Sequence, residues 1–250
     1  ALAGVGGDEC FAGYGRYRAA QNPRDAGTNT NDPVFAFLRS LVSFTDADKQ
    51  RFFSNGFMES VMDEPSIEFI QSQSAHVKTN NTVDRLCYVD MRHYMLNDLL
   101  FNLDMMSMAH SLEVRVPLLD YRVVELAMRT PPSQKMSRGI QKLLLKRCMY
   151  QHLPKHVFLR RKQGFSLPKV VWIHRIQDFV RETLSNHRLR KRGLFNVGEV
   201  EGYINDILNN DGRASWRDAN NLWNILSFEL WAEQFLDSPP RLAPPEAKTE

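Results

Sequence analysis

Residues 4–17 read GVGGDECFAGYGRY and set two carboxylates, Asp8 and Glu9, directly behind a glycine cluster. Gly4, Gly6 and Gly7 precede the carboxylates, and Gly13 and Gly15 follow them. Glycine tolerates positive φ and, lacking a Cβ, lets backbone approach a ligand closely. Successive N–H groups beside a helix N-terminus then form an anion pocket. An acidic residue at that rim does not bind phosphate itself, but it can hold Mg²⁺, which bridges to phosphate oxygens. Spacing alone leaves two readings open: a Mg²⁺-pyrophosphate loop, or a Gly-rich turn with an Asp cap.

Three further stretches carry charge in suggestive places. In LRRKQGFSLP (159–168) three cations precede a Gly-Phe turn and a proline, and Lys162 could place one mobile positive charge on a developing oxyanion or a leaving pyrophosphate. The bland alternative is a solvated basic loop. NLDMMSMAHSLEVRVPLLD (102–120) mixes Asp104, Glu113, Arg115 and Asp120 with apolar neighbours, which predicts partly buried, paired charges, Glu113 with Arg115 among them. Met105, Met106 and Met108 read as core filler, and His110 as a core histidine. HRLRKRG (187–193) lacks interleaved aromatics and reads as a solvated helix end.

The elements that must position these residues are mostly helical. Residues 1–3 predict the end of a buried strand, a helix starts near Asp8, and 21–33 is rich in turn formers. Helical periodicity covers 82–100 with Thr82 as its cap, and 139–151 with a face of Ile140, Leu143, Leu144 and Cys148. Asp120 caps a short helix over 120–128, and Asn196 with Glu199 has capping-box spacing. Residues 216–236 place Ala219, Leu222, Trp223, Leu226, Leu230 and Trp231 on one stripe. LEVRVPLL (112–119) is a candidate strand limited by Pro117. The tail from 238 to 250 predicts disorder.

The chain's 250 residues are 43% hydrophobic and 24% charged, a globular composition with room for one large or two small domains. A net charge of +3 is too small to call for a nucleic-acid partner. Three separated cysteines without CxxC spacing suggest neither a disulfide framework nor a zinc site, and a cytoplasmic setting is expected. No apolar stretch reaches the roughly 18 residues of a membrane span, and no membrane partner is expected. The start, ALAGVGG, has no initiator Met or basic leader, and the expectation is a chain that begins inside a longer protein.

Taken in order, these stretches resemble the synthetase domain of the glutamine-hydrolysing asparagine synthase family. LAGVGGDECFAGY (2–14) is similar to that family's SGEGGDE-x-F-x-G-Y loop, and DMMSMAHSLEVRVPLLD (104–120) to its D-x-MSMAHSLEVRVPFLD run. GIQKLLL (139–145), RRKQGFSLP (160–168), RGLF (192–195) and the segment 223–237 also match family patterns. The resemblance implies an α/β parent fold of the PP-loop, adenine-nucleotide alpha-hydrolase type. This chain, over residues 1–237, would be its C-terminal, predominantly α-helical part with a short N-terminal strand. It implies ATP and Mg²⁺, with aspartate activated as an acyl-adenylate and attacked by ammonia that an N-terminal glutaminase domain releases from glutamine. Carried over by position, Asp8 is the Mg²⁺ ligand, Gly4, Val5, Gly6 and Gly7 line the nucleotide phosphates, and Lys162 is the catalytic lysine. Glu9, Asp104 and Arg115 stand as further candidates, with packing the default for Asp104 and Arg115.

Two departures qualify the resemblance. Val5 stands where the family often keeps a Glu tied to adenylate formation, as in amidotransferase-like side branches, which leaves another carboxylate open as substrate. Nothing matches the SGGxDS nucleotide loop, and no N-terminal nucleophilic Cys is present, so these residues alone are expected to be inactive. The competing class is a helical scaffold that kept the fold and lost catalysis. Sequence leaves a homodimer open.

Overall fold

Tyr17, Phe37, Leu86 and Cys87 gather into one core, and Cys10, Phe11, Met91 and Ala127 into a second, because helix spacing brings each set onto facing stripes. The structure, a computed structural model, describes residues 1–20, 33–61, 66–160, 167–209 and 214–238. It divides into two units, Ala1–Val42 with Pro65–Gln163 and Ser43–Glu64 with Gly164–Glu250.

In the first unit the helices Pro33–Leu41, Ser66–Ser74 and Thr82–Arg92 pack on one another. Leu86 and Cys87 are fully buried there, each such apolar side chain contributing about 2 kcal/mol. The short helix Gly7–Cys10 rests on Thr82–Arg92 and on Tyr121–Arg129, so the glycine loop is seated on two buried helix faces. Lys135 is wholly buried and donates to Asp84 at 2.8 Å, tying the turn Pro132–Lys135 to Thr82–Arg92.

The expected N-terminal strand is reduced to one parallel bridge, Leu2 with Arg115, with Ala3 N–H donating to Arg115 O at 2.9 Å. Among the described residues no longer strand forms. The candidate strand 112–119 ends in the same bridge and then turns into a 3₁₀ helix, Pro117–Leu119, since Pro117 has no N–H to continue a ladder. The helix over 82–100 divides. It begins with Asn81, not Thr82, whose Oδ1 accepts from Val83 and Asp84 N–H, and it ends at Arg92. A π-helical segment, Met95–Leu100, follows and leads into Phe101–Met108.

Asp120 caps Tyr121–Arg129 as expected, accepting from Arg122 N–H at 3.0 Å. Residues 139–151 shorten to the helix Leu143–Met149; Ile140 falls outside it and is exposed, and Cys148 within it is exposed as well. The reading of 102–120 is also corrected. Met105, Met106, Met108 and His110 are exposed, and the pairs Glu113–Arg115 and Asp120–Arg122 lie at the surface. An apolar pattern marks a face that favours cover, but it does not say which element covers it.

The second unit centres on Phe52, Ile173, Leu189, Leu222 and Ile225. Its longest helix, Trp216–Ala232, opens with a capping box between Ser215 and Asp218. Ala219, Leu222 and Leu226 are buried as the stripe predicts, whereas Trp231 is exposed. Asn196 caps Val197–Leu208, accepting from Glu199 N–H. The basic run forms the helix Asn186–Arg192, but Arg192 is not solvated, because it grips two carboxylates. The loop over 21–32 and the tail from 239 lie outside the described residues.

Candidate functional site

The loop 4–8 folds the way its glycines require. Gly6 takes φ +92° as it enters the helix Gly7–Cys10, and a Cβ there would lie 2.2 Å from Leu119 Cδ2. A Cβ on Gly7 would lie 3.0 Å from Leu118 Cδ1. Both glycines are therefore set by the residues of the 3₁₀ turn pressed against them, while Gly4 faces open space. Val5 packs against the core around Cys10 and Met91.

The two carboxylates part company. Asp8 Oδ2 accepts from Lys142 Nζ at 2.9 Å, with both side chains about one-quarter exposed. Glu9 turns inward, 1% exposed, and accepts from Tyr14 O–H at 2.5 Å. Burial and this bond to Glu9 hold the Tyr14 phenol far above its ordinary pKa of 10.0. The Arg16 guanidinium lies 3.9 Å from the Tyr14 ring centroid and donates to Asp90 Oδ2 at 2.8 Å, and Tyr17 O–H donates to the same oxygen at 2.5 Å. The aromatic half of the motif is thus an anchor that fixes the loop on the helix Thr82–Arg92.

Lys142 is the residue that sequence reasoning missed. Its signal is the lysine of GIQKLLL (139–145), to which spacing alone assigns no role. It sits in the left-handed region, φ +54°, at the start of Leu143–Met149, and Ala12 beside Gly13 is left-handed too at φ +53°. Such backbone costs on the order of 1–3 kcal/mol and persists where the surroundings enforce it. The Asp8–Lys142 pair lies over Gly13, where a Cβ would come 2.2 Å from both Asp8 Oδ1 and Lys142 Cε.

Asp8, Gly13 and Lys142 line a cavity of about 570 Å³, joined by Lys146 and Arg160 and backed by apolar Leu118 and Leu145. Three cations against one carboxylate favour an anion at this end. No group of three metal-ligating side chains exists among the described residues. A single carboxylate still fits Mg²⁺ that arrives on a nucleotide, since Mg²⁺ keeps several waters and takes one or two carboxylates plus phosphate oxygens.

Of the other candidates, Lys162 lies outside the described residues. Arg115 brings its backbone beside Leu2 but turns its side chain to Glu113 at 3.0 Å. Asp104 lies on the exposed side of Phe101–Met108 and joins none of the cavity residues. No helix of the described residues is long and apolar enough to cross a membrane.

The family model described as asparagine synthase matches residues 1–233. The chain is 24% identical over 260 residues to asparagine synthetase [glutamine-hydrolyzing] 1 of Bacillus subtilis, covering 92% of this chain and 40% of that protein. It is 30% identical over 173 residues to a putative asparagine synthetase [glutamine-hydrolyzing] of Mycobacterium tuberculosis, covering 66% of this chain and 25% of that one. It is 32% identical over 127 residues to the Rattus norvegicus asparagine synthetase [glutamine-hydrolyzing], covering 45% of this chain and 23% of that one. The chain thus spans 40% or less of the length of these relatives. No solved structure matches it. With the motifs in family order and the match running through both units, the chain belongs to the asparagine synthase family.

Proposed function

We propose that this chain supplies the pyrophosphate-facing wall of an ATP-dependent amide ligase of the asparagine synthase type. The observation that carries the reading is the Asp8–Lys142 pair at 2.9 Å on the rim of a cavity that also presents Lys146 and Arg160. In the reaction a substrate carboxylate oxygen attacks the α-phosphorus of ATP, the bond to the bridging oxygen breaks, and pyrophosphate leaves. Ammonia then attacks the acyl carbon of the adenylate and AMP departs with its electron pair, giving the amide.

The residues have distinct tasks. Lys142 and Lys146 place positive charge where pyrophosphate accumulates negative charge, and Arg160 offers a fork for two phosphate oxygens. Asp8 holds Lys142 in place and is the carboxylate available to the nucleotide's Mg²⁺. When bound, Mg²⁺ neutralises phosphate charge. Lys162 is assigned to the developing oxyanion on the resemblance. Aspartate as the acid and ammonia from glutamine are inferred from the relatives, which are asparagine synthetases [glutamine-hydrolyzing], and a glutaminase domain as the ammonia source is inferred from the resemblance. The exposed apolar run of Phe101, Met105 and Met106 is consistent with cover by other parts of a full-length protein.

Calorimetry of the full-length protein with Mg-ATP tests the site. Asp8→Ala and Lys142→Met are each expected to weaken binding about tenfold or more, the scale of a lost charge-assisted hydrogen bond. Unchanged affinity in both would remove the assignment. ATP–pyrophosphate exchange with aspartate and with other carboxylic acids then identifies the acid, and exchange that ignores aspartate but responds to another acid would place the enzyme in a side branch, as Val5 allows.

A further inference from the structure

A second cavity of about 250 Å³ lies in the first unit, lined by residues of Pro33–Leu41, Ser66–Ser74 and the end of Thr82–Arg92. Its walls are mostly aliphatic, formed by Leu38, Leu41, Val42, Ile70 and Val89, with the Tyr94 ring beside them. Besides the Tyr94 hydroxyl, two polar side chains one helical turn apart, Asp90 and His93, join this lining. Among the described residues, each carries a buried atom without a hydrogen-bond partner, Asp90 Oδ1 and His93 Nε2.

These orphans call for an explanation, because a buried polar atom left unpaired costs about 1–3 kcal/mol. The other oxygen of Asp90, Oδ2, already accepts from Arg16 and Tyr17, so the carboxylate is locked in orientation and Oδ1 is not free to seek another partner. Asp90 is 1% exposed and lines the cavity. A carboxylate oxygen is an acceptor only, and a neutral imidazole has one acceptor nitrogen. Burial and the neighbouring Arg92 charge lower the His93 pKa, which favours the neutral ring.

We propose that this cavity binds a small aliphatic primary ammonium, whose head donates to Asp90 Oδ1 and His93 Nε2 while its alkyl body fills the aliphatic walls. An ammonium carries three donors and a positive charge, so one head group satisfies both acceptors. An alcohol of the same shape has one donor and satisfies one of them. The volume admits a guest of several heavy atoms, larger than a single ordered water. The site is separate from the Asp8–Lys142 cavity, and the proposal does not depend on the ligase reading.

The test is titration calorimetry of the full-length protein with 1-butylammonium chloride and with the isosteric 1-butanol, both in the absence of ATP. The ammonium is expected to bind at least tenfold more tightly than the alcohol, the scale of one hydrogen bond to a charged group. His93→Phe is expected to reduce that preference, and Ile70→Phe, which fills the cavity, to abolish binding of both while leaving the circular-dichroism spectrum unchanged. Equal affinity for ammonium and alcohol, undiminished binding in Ile70→Phe, or a crystal soaked in butylammonium that shows only ordered water bridging Asp90 and His93 would each overturn the proposal.

Discussion

A Cβ on Gly13 would meet Asp8 Oδ1 and Lys142 Cε at 2.2 Å each, and Asp8 Cα at 2.8 Å. Because the last of these is backbone, a rotamer change does not relieve the clash. Gly13→Ala is therefore expected to weaken Mg-ATP binding at least tenfold in calorimetry, by forcing the Asp8–Lys142 pair apart. Gly15→Ala is the control, since a Cβ there meets nothing within 4 Å, and its affinity should be unchanged. The cysteines give a second prediction at this scale. Burial and the nearby Glu9 carboxylate push the Cys10 thiol up to about 11, and burial pushes Cys87 to about 12. Cys148 is exposed. Iodoacetamide at pH 8 should therefore add one carbamidomethyl group per native chain, on Cys148, as read by mass spectrometry. The sign for stability follows. Folded pKa values raised above the ordinary 9.0 favour the folded state below pH 9, and that contribution is lost as pH rises through 11 and 12. The urea midpoint should fall between pH 8 and pH 11. Asp8 and the glycines were legible from residue type and spacing. Lys142 was not, because a lysine opening an apolar helix resembles any solvated charge until the fold carries it across 134 positions to Asp8.

At the scale of elements, caps are decided by which side chain reaches the first free N–H groups. Asn81 Oδ1 lies 2.9 Å from Val83 N and 3.4 Å from Asp84 N, whereas Thr82 is already inside the helix. Asn81→Ala should cost about 1 kcal/mol in urea unfolding, and Thr82→Ala a few tenths at most. A larger loss from Thr82→Ala would return the cap to the residue that periodicity suggested. The capped starts at Asp120 and Asn196 were readable because the signal is local. Helix ends and breaks were less so. The sequence 82–100 holds its three-and-four spacing across the π segment Met95–Leu100, so the change of winding leaves little trace in the pattern. The strand at residues 1–3 was expected from apolar character, but a strand is defined by its partner, and the described residues supply one bridge.

At the scale of the whole molecule, Met105, Met106 and Met108 read as core filler and His110 as a core histidine, yet all four are exposed, because hydrophobicity records a demand for cover without naming its source. The opposite error occurred at Arg192, which reads as one more solvated cation in HRLRKRG. In the structure its guanidinium donates to both oxygens of Glu229, at 3.0 and 3.1 Å, and to both oxygens of Asp237, at 3.0 and 2.6 Å. These contacts lash the helix Asn186–Arg192 to Trp216–Ala232 and the turn after it within the second unit. Glu229 is 2% exposed, so deleting its partner leaves a buried charge uncompensated, a loss of about 3–5 kcal/mol. Arg188 is the comparison, because its pair with Glu233 is partly solvated and should contribute no more than about 1 kcal/mol. All four tryptophans, Trp172, Trp216, Trp223 and Trp231, belong to the second unit, so tryptophan emission reports its unfolding. Arg192→Ala is expected to move the urea midpoint of that emission steeply downward, while Arg188→Ala moves it slightly. Equal small shifts in the two variants would mean that Glu229 finds water once Arg192 is gone, and that the paired carboxylates are not what holds these helices together.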